Sequence, residues 1–86
     1  MIGMFAVSLA GHDKGQTYLI VGEENDFVYL ADGKLKTIEK PKRKKKKHIQ
    51  IIKSNTDVAL AEKLKSHQTI YNEEIKCAVK ARINRR

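Results

Sequence analysis

The sequence predicts a mainly β protein: a small five-stranded barrel or strongly bent sheet followed by two short helices. Three observations predict it. Five short segments rich in β-branched and aromatic residues are separated by turn residues over the first 52 positions. The apolar period then changes from two to helical spacing. The chain has 86 residues and a mass of 9.8 kDa, which is enough for one hydrophobic core and too little for several.

The elements follow in order. Phe5, Val7 and Leu9 alternate with Ala6 and Ser8 and predict a half-buried first strand. Gly11-His12-Asp13-Lys14-Gly15 is a turn, because two glycines and an aspartate tolerate positive φ. Thr17 to Val21 is the second strand, Glu23-Glu24-Asn25-Asp26 a polar turn, and Phe27 to Ala31 the third strand. Asp32-Gly33 is a hairpin signal, which places a fourth strand at Leu35 to Glu39. Ile49-Gln50-Ile51-Ile52 makes the fifth. Val58, Ala61 and Leu64 then recur at helical spacing, with Ser54, Asn55 and Thr56 as caps. A second helix runs from about Asn72 to Ile83 with Ile75, Ala78, Val79 and Ile83 on one stripe. Glu73 and Glu74 in its first turn and Lys80, Arg82, Arg85 and Arg86 at its end suit the helix dipole. The division is a β unit at 1–53, including the basic run 41–48, and a helical extension at 54–86.

Composition narrows the functional classes. The single cysteine excludes an intramolecular disulfide scaffold. No apolar run approaches the roughly 18 residues of a membrane span, and Met1 to Ala10 lacks the basic flank and long apolar stretch of a secretion signal. A cytoplasmic setting is the expectation. The formal net charge is +8, which favours a polyanionic partner.

That charge is unevenly placed. Residues 1–33 carry one basic side chain, Lys14, against five acidic ones, a balance of −4. Residues 34–53 carry ten basic side chains against Glu39 alone, a balance of +9, and residues 54–86 contribute +3. The densest part is Pro41-Lys42-Arg43-Lys44-Lys45-Lys46-Lys47-His48. Repulsion between neighbouring like charges predicts an exposed loop or strand end. Extended, these eight residues span roughly 26 Å, long enough to follow several phosphates. The plain alternative is a solvated loop or a localisation tag. Six consecutive cations repel one another, so an anionic partner supplies the reason to keep them together. The salt dependence of such a contact comes from counterion release. Lysines act as point charges and supply affinity rather than sequence choice.

Val7-Ser8-Leu9-Ala10-Gly11-His12-Asp13-Lys14-Gly15-Gln16-Thr17-Tyr18-Leu19-Ile20-Val21 resembles a KOW motif: a strand, a tight loop with a Lys-Gly pair, and a returning strand. Many KOW sequences have a third glycine near the place of Tyr18. The resemblance extends through Phe27-Val28-Tyr29-Leu30-Ala31-Asp32-Gly33-Lys34-Leu35 and the Pro41–His48 run. Residues 4 to 52 are similar to the archaeal and eukaryotic fourteenth large-subunit ribosomal proteins and their small bacterial relatives. The resemblance implies a Src-homology-3-like five-stranded barrel and RNA binding, most often to ribosomal RNA.

The expected RNA contacts are Gly11, His12, Lys14, Gly15 and Gln16 in the loop, together with Lys34, Lys36, Lys40, Lys42, Arg43, Lys44, Lys45, Lys46, Lys47 and His48. The acidic Glu23–Asp26 turn should point away from RNA. Phe5 and Phe27 are needed inside. Tyr18 and Tyr29 are more often core than stacking platforms at strand spacing, and Tyr71 packs between the helices. His12, His48, His67 and Cys77 lack any paired metal-ligand spacing, and Cys77 reads as a small packing residue. No catalytic constellation stands out. The expectation is a monomeric, non-catalytic protein without metal or cofactor, bound to RNA beside ribosomal proteins and not to membranes. The alternative is a protein-interaction adaptor that uses the barrel or the C-terminal helices, motivated by the helical extension, whose apolar stripe offers a docking face.

Overall fold

The computed structural model describes residues 1–53 and 58–84. The proposed caps Ser54, Asn55 and Thr56, and the terminal Arg85 and Arg86, lie outside the described residues. The chain forms a five-stranded antiparallel sheet followed by two helices. The strands are β1 (Phe5–Ser8), β2 (Thr17–Glu24), β3 (Phe27–Ala31), β4 (Lys42–Lys45) and β5 (Ile49–Ile52). Their spatial order is β4-β3-β2-β1-β5, with a single 3-10 turn, Lys46–His48, joining the two outer strands. The helices are α1 (Val58–Lys65) and α2 (Asn72–Asn84).

The sheet bends enough to bury both of its faces. A register shift between Ile20 and Gly22 kinks β2 against β3. One face gathers Ala6, Tyr18, Ile20, Val28, Leu30 and Ile49. The opposite face gathers Phe5, Leu19 and Ala31, and the helices and the link between them cover it with Leu60, Ile70, Ile75 and Val79. The helical extension therefore shares a core with the sheet. The stripe offered as a docking face is used up internally, since Ile75 and Val79 are buried and Ala78 packs against the same cluster. Only Ile83 is left at the surface, 45% exposed.

Double-sided burial also explains where β1 departs from the alternation read in its sequence. Ala6 and Ser8 are buried beside Phe5, whereas Leu9 lies past the strand and is exposed. In α1, Leu60 and Ala61 face the core and Val58 is exposed. Tyr71 does not pack between the helices: it precedes α2, exposed, and its backbone N–H donates to Glu74 Oε2 at 3.0 Å, closing the start of the helix. Cys77 sits on the exposed side of α2 and does not pack.

The largest correction concerns the fourth strand. Leu35 to Glu39 is not a strand; β4 lies in the basic run itself. Asp32 Oδ1 accepts from the backbone N–H groups of Lys34 and Lys36 at 2.9 and 3.0 Å, which coils residues 32–36 into a closed turn. Asn72 at the start of α2 then takes the next residues: its Oδ1 accepts from Ile38 N–H at 2.8 Å and its Nδ2 donates to Glu39 at 2.9 Å. Gly33 has φ +79°, and a Cβ there would collide with Asn72 O and lie 2.7 Å from Lys76 N. The turn can sit against α2 only because Gly33 has no side chain.

Candidate nucleic-acid interface

The basic run forms a strand because three of its six cations are paired within the chain, Lys42 and Lys44 with Asp13 and Lys46 with Glu23. β4 pairs with β3 through Phe27–Lys45, Val28–Lys44, Tyr29–Arg43 and Leu30–Lys42. Alternate side chains of a strand point to opposite sides. Lys42 and Lys44 turn back toward the β1–β2 loop, while Arg43 and Lys45 face solvent. Lysine-rich edge strands also resist pairing with other chains, which suits the position of β4 at the edge of the sheet.

Asp13 is the organiser of this arrangement. Gly11 and Gly15 take φ of +88° and +89°, a conformation that glycine adopts without strain. The loop closes through Gly15 N–H to Ser8 O at 2.8 Å and Gln16 N–H to Asp13 O at 2.9 Å. His12, Lys14 and Gln16 are left exposed, and the Asp13 carboxylate turns inward. Its Oδ1 receives Lys44 Nζ at 2.6 Å and the Ser8 hydroxyl at 2.8 Å. Its Oδ2 receives the Tyr18 hydroxyl at 3.0 Å and faces Lys42 Nζ at 2.9 Å. Burial alone would raise the Asp13 pKa, but Lys44, Lys42, Ser8 and Tyr18 together hold it well below the usual carboxylate range. Burial, then the bond to Asp13, pushes the Tyr18 phenol upward. Tyr18 is thus a core residue with its hydroxyl anchored on the loop, which leaves no ring face for a base.

Lys44 uses all three of its ammonium hydrogens at home, on Asp13 Oδ1, Ser8 Oγ at 2.6 Å and Ala10 O at 2.7 Å. Its side chain is only 9% exposed. Lys46 pairs with Glu23 Oε2 at 2.6 Å, and this bond lowers the Glu23 pKa. The acidic turn therefore lies beside the basic run and does not point away from it. The Asp26 carbonyl also accepts from Lys46 N–H at 2.8 Å. The six cations of 42–47 thus divide in two. Lys42, Lys44 and Lys46 are paired with carboxylates, while Arg43, Lys45 and Lys47 are exposed. The Arg43 guanidinium lies 3.7 Å from the centre of the Phe27 ring, so Phe27 is a half-exposed platform and not an interior residue.

The remaining expected contacts are spread out. His48 is half-buried after β4, and its carbonyl accepts from Leu9 N–H at 2.9 Å. Lys34 joins Gln16 in a groove against α2, where Lys76 and Lys80 add two cations that the sequence reading did not include. Lys36 and Lys40 belong to the segment fastened by Asp32 and Thr37, not to the Asp13 cluster. Asp13, Glu23 and Phe27 are the residues that sequence reasoning missed as parts of this surface. The available signal was the excess of five acids over one base in residues 1–33, set against the +9 of residues 34–53.

Among the described residues, no group of three His, Cys, Asp or Glu side chains is placed to hold a metal ion, and no helix is long and apolar enough to cross a membrane. The architecture is that of a five-stranded antiparallel β domain with a helical cap. No family model and no curated protein matches this chain.

Proposed function

We propose that this chain is a non-catalytic RNA-binding protein that contacts ribosomal RNA and works with the ribosome or translation in the cytoplasm. The observation that carries the reading is the set of exposed cations Arg43 and Lys45 on β4 and Lys47 in the turn after it, while Lys44 and Lys46 between them are paired with carboxylates. A strand presents alternate side chains about 7 Å apart, so Arg43 and Lys45 stand at a fixed spacing on β4, and Lys47 follows in the turn. The neighbouring loop adds His12, Lys14 and Gln16, and its likeness to a KOW loop supports RNA as the polyanion. Lys42 and Lys46 are partly exposed and extend the field, while Lys44 is a positioning residue. Binding draws its affinity from released counterions. A filter-binding titration against ribosomal RNA fragments between about 50 and 200 mM salt tests the proposal. Affinity should fall steeply as salt rises, and binding that ignores salt would overturn it.

A second reading, a protein-interaction adaptor, has one observation in its favour. Leu35 is 88% exposed and lines the α2 groove with Ile83, beside Lys34, Lys76 and Lys80. Capture of a single protein partner that survives nuclease treatment would favour it.

A further inference from the structure

We propose that the pocket between the β2–β3 turn and the end of β4 holds one RNA base and selects guanine. This rests on the RNA reading above and adds to it a choice of base. The pocket is an open hollow of about 480 Å³ lined by Asp26, Phe27, Lys45, Lys46 and Lys47, within the size range of small-ligand sites.

A surface built only to bind phosphates has no use for a carboxylate, which repels them. Lys46 is already neutralised by Glu23. Asp26 is different: among the described residues its carboxylate makes no hydrogen bond and no ion pair. Its backbone is nevertheless fixed, because its carbonyl accepts from Lys46 N–H at 2.8 Å. An exposed, unpaired acceptor thus lines a cationic pocket on a backbone fixed beside Lys46.

The chemistry of the bases says what such an acceptor recognises. Single-stranded RNA is read by stacking on aromatic rings and by hydrogen bonds to base edges. An ionised carboxylate offers two oxygens that only accept. Guanine presents two adjacent donors, N1–H and N2–H, which match both oxygens together. Adenine and cytosine offer one amino group beside an acceptor nitrogen. Uracil offers one N–H flanked by two carbonyls that a carboxylate repels. Phe27 supplies the apolar wall. The Arg43 guanidinium lies over its ring. Lys45 and Lys47 at the rim are placed for the flanking phosphates.

The test uses the full chain and four labelled 12-nucleotide oligouridines that differ only at one central position, read by fluorescence anisotropy. The guanine oligomer should bind at least about 5-fold tighter than the other three, the lower end of what a bidentate base contact discriminates. Asp26→Asn keeps the size and turn preference of the residue and should abolish that preference while leaving the salt dependence of binding unchanged. Equal affinity for all four oligomers overturns the guanine proposal and leaves the RNA reading standing. So does an Asp26→Asn variant that binds all four more tightly by the same factor, since the carboxylate would then only repel. Failure of the wild-type protein to bind any of them at low salt removes both.

Discussion

Replacing Asp13 with Asn should destabilise the fold far more than an ordinary loop substitution. The Asp13 side chain is 11% exposed, that of Lys44 9%, and that of Lys42 30%. The amide keeps the shape but cannot neutralise either ammonium. Removing one member of a buried ion pair costs about 3–5 kcal/mol. Lys44 retains Ser8 Oγ and Ala10 O, and water reaches the cluster from the Lys42 side, so the low end applies, about 3 kcal/mol. For a domain of this size that corresponds to a fall in Tm of about 12–24 °C. Urea unfolding followed by circular dichroism measures it. The partner variant Lys44→Met and the double variant complete a cycle, in which a coupling of more than about 1 kcal/mol is expected between groups in direct contact. A loss below about 0.5 kcal/mol for Asp13→Asn would refute the claim that Asp13 organises the loop and β4.

Three further outcomes follow from the same geometry. Because the folded Asp13 has a depressed pKa, it binds fewer protons than in the unfolded chain, so its stabilisation is complete above about pH 4 and is lost as pH falls below that value. Acid unfolding of Asp13→Asn should be shallower between about pH 4 and pH 2 than that of the wild type; Glu23, Glu39 and Glu74, also lowered, account for the slope that remains. Tyr18→Phe removes one hydroxyl from Asp13 and should cost about 1 kcal/mol in the same urea assay. Gly33→Ala places a methyl group against the backbone of Asn72 and Lys76 at a positive φ; thermal melting should show a loss of more than about 1 kcal/mol.

Four of the five strands and both helices were legible because each carries its own local pattern. The exception is instructive. Leu35 to Glu39 has strand-like composition, but Asn72, 34 residues after Ile38, claims its backbone, and nothing within the segment signals that. The basic run reads as an exposed loop or strand end, and not as a paired strand, when repulsion between its own charges is counted and the carboxylates that answer them are not. Asp13 and Glu23 lie 31 and 23 residues before their lysine partners. The loop 11–16 was legible from its glycines and its KOW-like order, whereas the inward turn of Asp13 depends on β4 being present. Phe27 and Asp26 escaped notice because an aromatic in a strand and an aspartate in a turn have ordinary structural uses.

The central claim is that the outward cations of the basic run, Arg43, Lys45 and Lys47, bind RNA while the inward ones, Lys42, Lys44 and Lys46, hold the fold. The salt dependence of RNA affinity in the variant Arg43→Ala/Lys45→Ala/Lys47→Ala tests it directly, with circular dichroism confirming the native fold. Three lost phosphate contacts should flatten the log–log slope by about 2 for single-stranded RNA and weaken binding to unrelated sequences alike. A slope equal to that of the wild type, in a variant that remains folded, would contradict the account.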